Sequence, residues 1–328
     1  MKKLFLFFSL VVFFTACQRD QRSLGTAPNG LTLLTEANPD WQHECLRLYP
    51  IVADAAALEG QAGIQTLKTL AEGMKIPGFR IMEQKQFGRS NDRTYNTLTV
   101  QNKSRDTIFM MSGDVVTGGN QDRVIAFDQI VPPHTIKNVD VFCVEHGRWY
   151  YTDSTATSNE KAIYAFRGYY NVASPQVRQA VQRTGNQQEV WNAVARVTTA
   201  NGASSNTSTY AALETARDSK TKRDAYLQHL GNQLAGVPNV VGVVAVCGDQ
   251  VLGIDIFGHP DLFQRTYGAL LHGFVTEAAT VDCKSKMSDG AVQQAFQQVA
   301  CLSAPGAQPT ELAGKFARNG QWVHLYSK

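Results

Sequence analysis

Apolar and polar positions alternate in the first half of this 328-residue chain and follow helical spacing in much of the second half. Short runs rich in Val, Ile, Phe and Thr, separated by turn residues such as those at 102–104 and 132–133, predict strands. We predict strands at 45–52, 79–84, 94–101, 107–112, 123–131 and 138–145, and one helix among them at 63–74. Strands that succeed one another almost without intervening helices indicate an antiparallel sandwich or a barrel-like sheet.

The second half begins with helices and returns to strands. Ser174-Pro175 has the serine cap and first-turn proline of a helix start. Apolar spacing predicts helices at 175–183, 187–198, 220–230, 262–279 and 290–302. Gly248-Asp249 and Asn319-Gly320 are two-residue hairpin turns, and the polar segment 199–209 predicts a mobile loop. The fold class predicted is α+β, with an antiparallel β-rich first half followed by helices and two closing β-hairpins.

The N-terminus has the pattern of an export signal. Lys2 and Lys3 precede an apolar run, Leu4–Phe14, which is too short to cross a bilayer. Thr15-Ala16-Cys17 follows and resembles a lipobox, in which the cysteine is acylated and becomes the new N-terminus. We therefore predict a lipoprotein signal peptide at 1–16, lipidation of Cys17, a flexible tether at 17–40 and a single domain at 41–328. The expected location is the cell envelope, with the protein anchored to the periplasmic or surface face of the outer membrane.

Composition narrows the function. The net charge is +3 and the basic residues are scattered, so we expect no nucleic-acid partner. The sequence contains no HExxH, no GxSxG and no GxGxxG after a strand, and its histidines lack chelating spacing. These observations disfavour a zinc protease, a serine hydrolase and a Rossmann dehydrogenase. We expect neither a metal nor a cofactor.

Cysteine usage is consistent with an oxidising compartment. Once Cys17 is lipidated, five of the six cysteines remain, an odd number that leaves at least one without an intrachain partner. Cys143 and Cys247 lie in apolar strand-like runs and are expected to be buried. Cys283 and Cys301 flank a helical segment and are the pair that we predict to form a disulfide.

The first of three polar segments that interrupt apolar strands is Gly-Gly-Asn-Gln-Asp-Arg. Gly118 and Gly119 would let backbone amides approach a ligand closely. Gln121, Asp122 and Arg123 would supply oriented hydrogen bonds. The alternative is a glycine-rich hairpin loop with solvated polar residues.

The second polar segment spans 143–149. Strand alternation places Cys143 and Glu145 on one face, so the Glu145 carboxylate is expected on the buried side at the strand end. A buried carboxylate needs a cationic or hydrogen-bonding partner, and Arg148 or Arg123 would provide one. Glu145 is then either half of a structural ion pair or an acid/base with a shifted pKa.

The third polar segment spans 255–260, at the end of a predicted hairpin strand. Asp255 and Phe257 share a face. Asp255 is either a second functional carboxylate or the partner of a basic side chain at a strand-to-helix junction.

Several of these motifs together resemble one protein family. They are Leu98–Asn102, Gly113–Arg123, Val131-Pro132-Pro133, Cys143–Trp149, Pro175–Arg178, Gln188–Trp191 and Gly253–Phe257. The pattern is similar to the ARG and rhodanese-phosphatase-superfamily-associated protein family, where ARG stands for ADP-ribosylglycohydrolase. The resemblance implies, by association, a ligand related to ADP-ribose or another phosphorylated sugar, and convergence of the three polar segments on one site. An envelope address separates such a protein from cytoplasmic NAD metabolism.

Three functions follow from these features. The first is an anchored module that binds a small polar ligand, sugar-like or nucleotide-sugar-like, in a cleft formed by the three segments, with Gly118, Gly119, Gln121, Asp122, Arg123 and Arg148 gripping it and Trp149 stacking on a ring. The second is a hydrolase of a glycosidic or phosphoester bond, with Glu145 as general acid or base and Asp255 as the second carboxylate. The third is a structural envelope protein whose polar segments bridge the two halves. Convergence of Gln121, Arg123, Glu145 and Asp255 on an open pocket would separate the first two from the third.

Overall fold

The computed structural model describes residues 29–84, 96–148, 165–281 and 285–328. Twelve strands precede residue 173 in these ranges: β1 (Leu31–Leu33), β2 (Gln42–His43), β3 (Leu46–Ala53), β4 (Lys68–Thr69), β5 (Phe79–Glu83), β6 (Thr97–Asn102), β7 (Ile108–Met110), β8 (Asp114–Gly118), β9 (Arg123–Ile125), β10 (Gln129–Val131), β11 (Thr135–Cys143) and β12 (Phe166–Val172). Two short helices lie among them, α1 (Ala55–Glu59) and α2 (Leu70–Gly73). The later elements are α3 (Pro175–Gln179), a π-helical turn (Ala180–Thr184), α4 (Gln187–Ala200), α5 (Arg217–Leu230), β13 (Val240–Cys247), β14 (Gln250–Phe257), α6 (Pro260–Ala278), α7 (Asp289–Ala300), β15 (Ala313–Arg318) and β16 (Gln321–Ser327).

The β-rich first half curls around its own apolar core. Six antiparallel strands pair in the order β12-β8-β9-β11-β6-β5. A single bridge between Met82 and Ala165 joins the two edges of this sheet. Alternate inward residues, including Ile81, Val100 and Val139, are fully buried inside it, as the period-two pattern of a sheet with one covered face requires. The barrel-like prediction is confirmed. A smaller sheet, β10-β7-β4, lies beside it.

The second unit is a seven-stranded sheet that contains both ends of the described chain. Its order is β1-β3-β13-β14-β16-β15, with β2 paired to β3. Both predicted closing hairpins are present, but the strand that precedes the barrel, β3, lies beside β13 of the first hairpin. Helix α6 covers one face of this sheet, where its Phe274 shares a core with Val243 of β13, and α7 covers the other face, where its Phe296 shares a core with Val244 of β13. The α+β fold class is confirmed, with the two halves interleaved along the chain.

The predicted helix at 63–74 is wrong as one continuous element. The chain forms a 3-10 turn at Ala62–Thr66, a two-residue strand and then α2. Thr69 accepts from the Glu72 amide while the Glu72 carboxylate accepts from the Thr69 amide, a reciprocal cap that starts a new helix. The predicted strand at 123–131 is likewise two strands, β9 and β10, and the turn between them carries Asp128.

The C-terminal part of the tether predicted for 17–40 is folded against the domain. Leu31 and Leu33 are buried and form β1, which pairs with β3. Pro39–Trp41 forms a 3-10 turn whose cap, Asn38, accepts from the Asp40 amide. Two apolar side chains are enough to draw this part of the segment into the core. Cys17 and the signal peptide lie outside the described residues.

The polar segment 199–209 was predicted to be mobile, yet it is docked on the barrel. Its first two residues end α4. The Thr207 carbonyl oxygen accepts hydrogen bonds from the amides of His146 and Gly147, 3.1 and 2.9 Å. Thr209 Oγ1 donates to Asp122 Oδ2 at 2.7 Å. Small polar side chains here satisfy buried groups of a neighbouring segment, a use that composition does not reveal.

Cys143 and Cys247 are buried thiols, as predicted. The predicted pairing of Cys283 with Cys301 is wrong on the Cys301 side, because the Cys301 thiol donates to the Gln298 carbonyl oxygen. Cys45 is disulfide-bonded instead, and Cys283 lies outside the described residues. In the four described ranges, no helix is both long enough and apolar enough to cross a bilayer.

Candidate functional site

The Glu145 carboxylate is buried and engaged by Arg148. Nη2 of Arg148 lies 2.7 Å from Oε2 of Glu145, and Nε donates to both carboxylate oxygens at 2.9–3.0 Å. The Asp122 amide donates to the same Oε2 at 3.0 Å. Burial alone raises the pKa of Glu145, but the bonds from Arg148, Thr207 and the Asp122 amide outweigh it and lower the pKa. Glu145 is therefore an ionised partner in an ion pair and lacks the raised pKa of a general acid.

The glycine-rich segment wraps around the same guanidinium. Arg148 Nη2 lies 3.0 Å from Asp122 Oδ1, and Nη1 donates to the Gly119 carbonyl oxygen at 3.2 Å. The Gly118 amide donates to Asp122 Oδ1. Gly119 has φ +55°, and a Cβ there would lie 2.6 Å from the Phe166 ring. The paired glycines thus serve close packing, and both of their amides already donate inside the protein, that of Gly118 to Asp122 and that of Gly119 to the Ala165 carbonyl oxygen.

Arg123 does not join Glu145. Its side chain is 1% exposed; Nη1 donates to Gln121 Oε1 at 3.3 Å and Nη2 lies 3.5 Å from Glu83 Oε1. Gln121 is fully buried and its amide donates to the His146 carbonyl oxygen. Trp149 lies outside the described residues. The first two polar segments do come together, as one buried ionic cluster around Arg148.

Asp255 belongs to a different buried cluster. Its two oxygens accept from Arg178 at 2.6 and 3.0 Å. His324 Nε2 lies 3.0 Å from Asp255 Oδ1, while His324 Nδ1 lies 2.7 Å from Asp128 Oδ2. These four side chains are all less than 9% exposed. Asp255 thus pairs with a basic side chain, as one of the two predicted alternatives has it.

Charge balance explains the ionisation states in this second cluster. Burial opposes the charged forms, but Arg178 and His324 hold the pKa of Asp255 well below its usual range. Burial also lowers the pKa of His324, and the two flanking carboxylates reverse that effect and raise it to about 9. Asp114, which accepts from the Tyr169 hydroxyl, has its pKa raised by burial to about 7. His324 is therefore a permanent imidazolium bridge at neutral pH.

Strand β8 separates the two clusters. Asp114 begins this strand beside Arg178, which lies over Gly113, and Gly118 ends it beside Arg148. A five-residue strand spans about 13 Å. Among the described residues, Glu145 and Asp255 therefore belong to separate clusters near opposite ends of β8.

The sequence analysis does not identify Asp128 and His324 as members of an ionic cluster, and it includes Arg178 only as a residue of a family motif. One sequence signal was available for His324: it stands between the apolar residues Val323 and Leu325, and apolar residues on both sides indicate a strand that is covered on at least one face. Nothing in the sequence points to Asp128, because its role depends on a turn that brings it to a strand almost 200 residues later.

A cavity lies elsewhere, at the β15–β16 hairpin. It has a volume of about 730 Å³ and is bounded by the α1 turn, the loop 303–309 and the hairpin. Its lining residues are Asn29, Ala56, Ala57, Gly60, Gln61, Ser303, Ala304, Pro305, Gly306, Ala307, Gln308, Pro309, Lys315, Ala317, Gly320 and Trp322. We call it the Lys315 groove, because Lys315 is the one charged residue in this lining. The described part of the chain holds no group of three or more His, Cys, Asp or Glu side chains placed to bind a metal.

Comparison with known proteins agrees with the pattern in the motifs. A family model described as the ARG and Rhodanese-Phosphatase-superfamily-associated Protein domain matches residues 35–321. The chain belongs to this family. No curated protein and no solved structure matches it.

Proposed function

We propose that this protein is a membrane-anchored binding domain of the cell envelope, and that its small polar, sugar-sized ligand occupies the Lys315 groove. The first two polar segments are engaged with each other and Asp255 of the third with Arg178 and His324, whereas the groove combines open space with polar side chains. The lipid anchor at Cys17 is part of the proposal and rests on the signal-peptide pattern.

The size of the groove is the observation that carries this proposal. Small-molecule sites typically occupy about 300–1,000 Å³, and the groove has about 730 Å³. Alanine, glycine and proline make up most of its lining. Short side chains keep the space open, and the amides Asn29, Gln61 and Gln308 with the Ser303 hydroxyl add polarity suited to a hydroxyl-rich ligand.

Hydrolysis by Glu145 has less support. A glycosidase needs two carboxyl groups about 5 to 9.5 Å apart across an open cleft. Glu145 is 2% exposed and fully engaged by Arg148, and Asp255 lies at the other end of β8. The structural interpretation is favoured for the two ionic clusters themselves, because each one ties segments that are distant in sequence.

A variant that fills the groove tests the proposal. Gly60 lines the groove with φ −67°, and a Cβ at this position meets no atom within 4 Å, so Gly60→Trp places an indole there without backbone strain. Gly236→Trp is the matched control, since Gly236 is equally unobstructed and lies outside the groove. Ligand-detected NMR with glucose, N-acetylglucosamine, ribose and gluconate measures binding. We expect at least one of these probes to bind the wild-type protein and the control but not Gly60→Trp. Equal binding by both variants, or no binding to the wild-type protein, contradicts the proposal.

A further inference from the structure

We propose that the ligand of the Lys315 groove carries an anionic group, a carboxylate or a phosphate, and that the ammonium of Lys315 binds it. This inference rests on the proposed function and names the chemical class of its ligand. It assigns Lys315 as the residue that decides specificity.

The hydrogen bonds of Lys315 leave one donor unfilled. Its Nζ donates to the carbonyl oxygens of Ala304 and Ala307 at 3.2 and 3.4 Å. An ammonium group has three N–H donors, so two are committed to the loop wall and one remains. Since Lys315 lines the groove, a ligand there is within reach of the third donor.

The charge of Lys315 is also uncompensated. Burial is the sole influence that moves its pKa, and it lowers that pKa; no carboxylate among the described residues offsets the effect. The groove lining contains neither Asp nor Glu. A partly desolvated cation without a counter-charge attracts an anion more strongly than an exposed lysine does.

The other polar groups near the base of the groove are largely satisfied by the protein. With its amide oriented to suit its neighbours, Gln61 accepts from Trp322 Nε1 at 2.7 Å and donates to the Trp322 carbonyl oxygen at 3.0 Å. Asn29 Nδ2 donates to Ser303 Oγ at 3.1 Å, and that hydroxyl donates to the Ala300 carbonyl oxygen. Lys315 is thus the group in the groove whose remaining N–H donor is best placed to form a new hydrogen bond with a ligand.

Two backbone contacts also fix the ammonium in place. The carbonyls of Ala304 and Ala307 belong to a short turn in which the Ala307 amide donates to the Ala304 carbonyl oxygen, and Gly306 has φ +75°. A lysine held at two points loses less side-chain entropy on binding than a free one. The groove therefore presents a positioned cation, as expected of a recognition element.

Matched neutral and anionic probes test this assignment. Binding of glucose, gluconate and glucose 6-phosphate is measured by isothermal titration calorimetry at constant ionic strength. We expect the two anions to bind the wild-type protein about tenfold or more tightly than glucose, as for a hydrogen bond to a charged group. Lys315→Met should abolish this preference, and Lys315→Arg should retain part of it. Lys328→Met is the control, because Lys328 Nζ also donates to a carbonyl oxygen, that of Thr310, outside the groove.

The outcomes separate this inference from the function on which it rests. If all three probes bind equally, or if Lys315→Met keeps the anion preference, the inference is wrong and the binding domain stands. If none of the probes binds the wild-type protein, both fail. Thermal unfolding of each variant confirms that it is folded, and Lys315→Arg keeps the test decisive if Lys315→Met is unfolded.

Discussion

Oδ2 of Asp128 lies 2.7 Å from Nδ1 of His324, which joins the turn after β9 to β16 across 196 residues of sequence. The same imidazole contacts Asp255 through its other nitrogen. One charged ring between two carboxylates therefore links the barrel-like half to the seven-stranded sheet. Such a link is expensive to break, because either half alone leaves a buried, uncompensated charge.

Replacing His324 should be strongly destabilising. His324→Leu leaves Asp128 and Asp255 buried without the imidazolium, and we expect a loss of about 3–5 kcal/mol in the free energy of unfolding. Urea unfolding at pH 7 measures it. His134→Asn, at an exposed histidine whose φ of +52° asparagine tolerates, should change stability by about 0.5 kcal/mol or less. A loss for His324→Leu as small as that of the control would mean that the ring does not bridge the two sheets.

Replacing Arg148 tests whether its ion pairs with Glu145 and Asp122 stabilise the fold or form part of a functional site. Arg148→Met leaves Glu145 and Asp122 buried without their cation, and we expect a loss of about 2–3 kcal/mol at pH 7, since Arg148 is partly exposed. The folded-state pKa of Glu145 is below its usual 4.5, so the ion pair stabilises above that pH and its contribution fades as the pH falls. The difference between wild-type and variant should therefore shrink towards pH 3.

The matched control for that comparison is Arg80→Met, at an exposed position of β5. It should unfold at the same urea concentration as the wild-type protein. Full stability of Arg148→Met together with loss of ligand binding would instead support the first interpretation of this segment as a binding site.

Asp114 should make stability fall as the pH approaches neutrality. Its pKa is about 7 in the folded protein against an ordinary 3.8, so the folded state holds a proton that the unfolded state has lost. The stabilisation is complete below about pH 4 and is lost as the pH rises through 7. Asp114→Asn should flatten the stability profile between pH 4 and 7. Asp218→Asn, at an exposed aspartate, should leave the profile unchanged, and an unaltered slope in Asp114→Asn would refute the assignment.

Lipidation at Cys17 has a direct test. The full-length protein expressed in a bacterium should fractionate with membranes, and mass spectrometry should show acyl groups on Cys17 after cleavage before it. Cys17→Ser should appear in the aqueous fraction, whereas Cys301→Ser should remain with the membrane. Membrane association of Cys17→Ser would require a different anchor.

Local features of the fold were predictable from the sequence, and distant pairings were not. The Asn319-Gly320 turn was readable because both residues accept positive φ, +52° and +81° here. The pairing of β3 with β13 was not predictable, because the apolar pattern of a strand indicates which face is buried but does not determine which strand it pairs with.

In the candidate site, too, contacts between residues close in sequence were predictable and contacts between distant residues were not. Arg148 and Arg123 were both predicted as possible partners of Glu145; Arg148, three residues away, is the one that pairs with it, and Arg123 pairs with Gln121 and Glu83. The partners of Asp255 are 69 and 77 residues away and come from separate elements, so only their basic character was foreseeable. The Lys315 groove was missed altogether, because its lining comes from segments without a conspicuous motif.

The position of β16 in the sheet determines when the seven-stranded sheet can be completed during folding. Synthesis runs from the N-terminus, and β16 lies inside the seven-stranded sheet, between β14 and β15. Until residues 321–327 have been made, β14 lacks a neighbour and two buried carboxylates lack their imidazole. The nascent chain therefore cannot complete this fold until residues 321–327 have been made. Such a delay would suit the export across a membrane that we propose from the signal-peptide pattern.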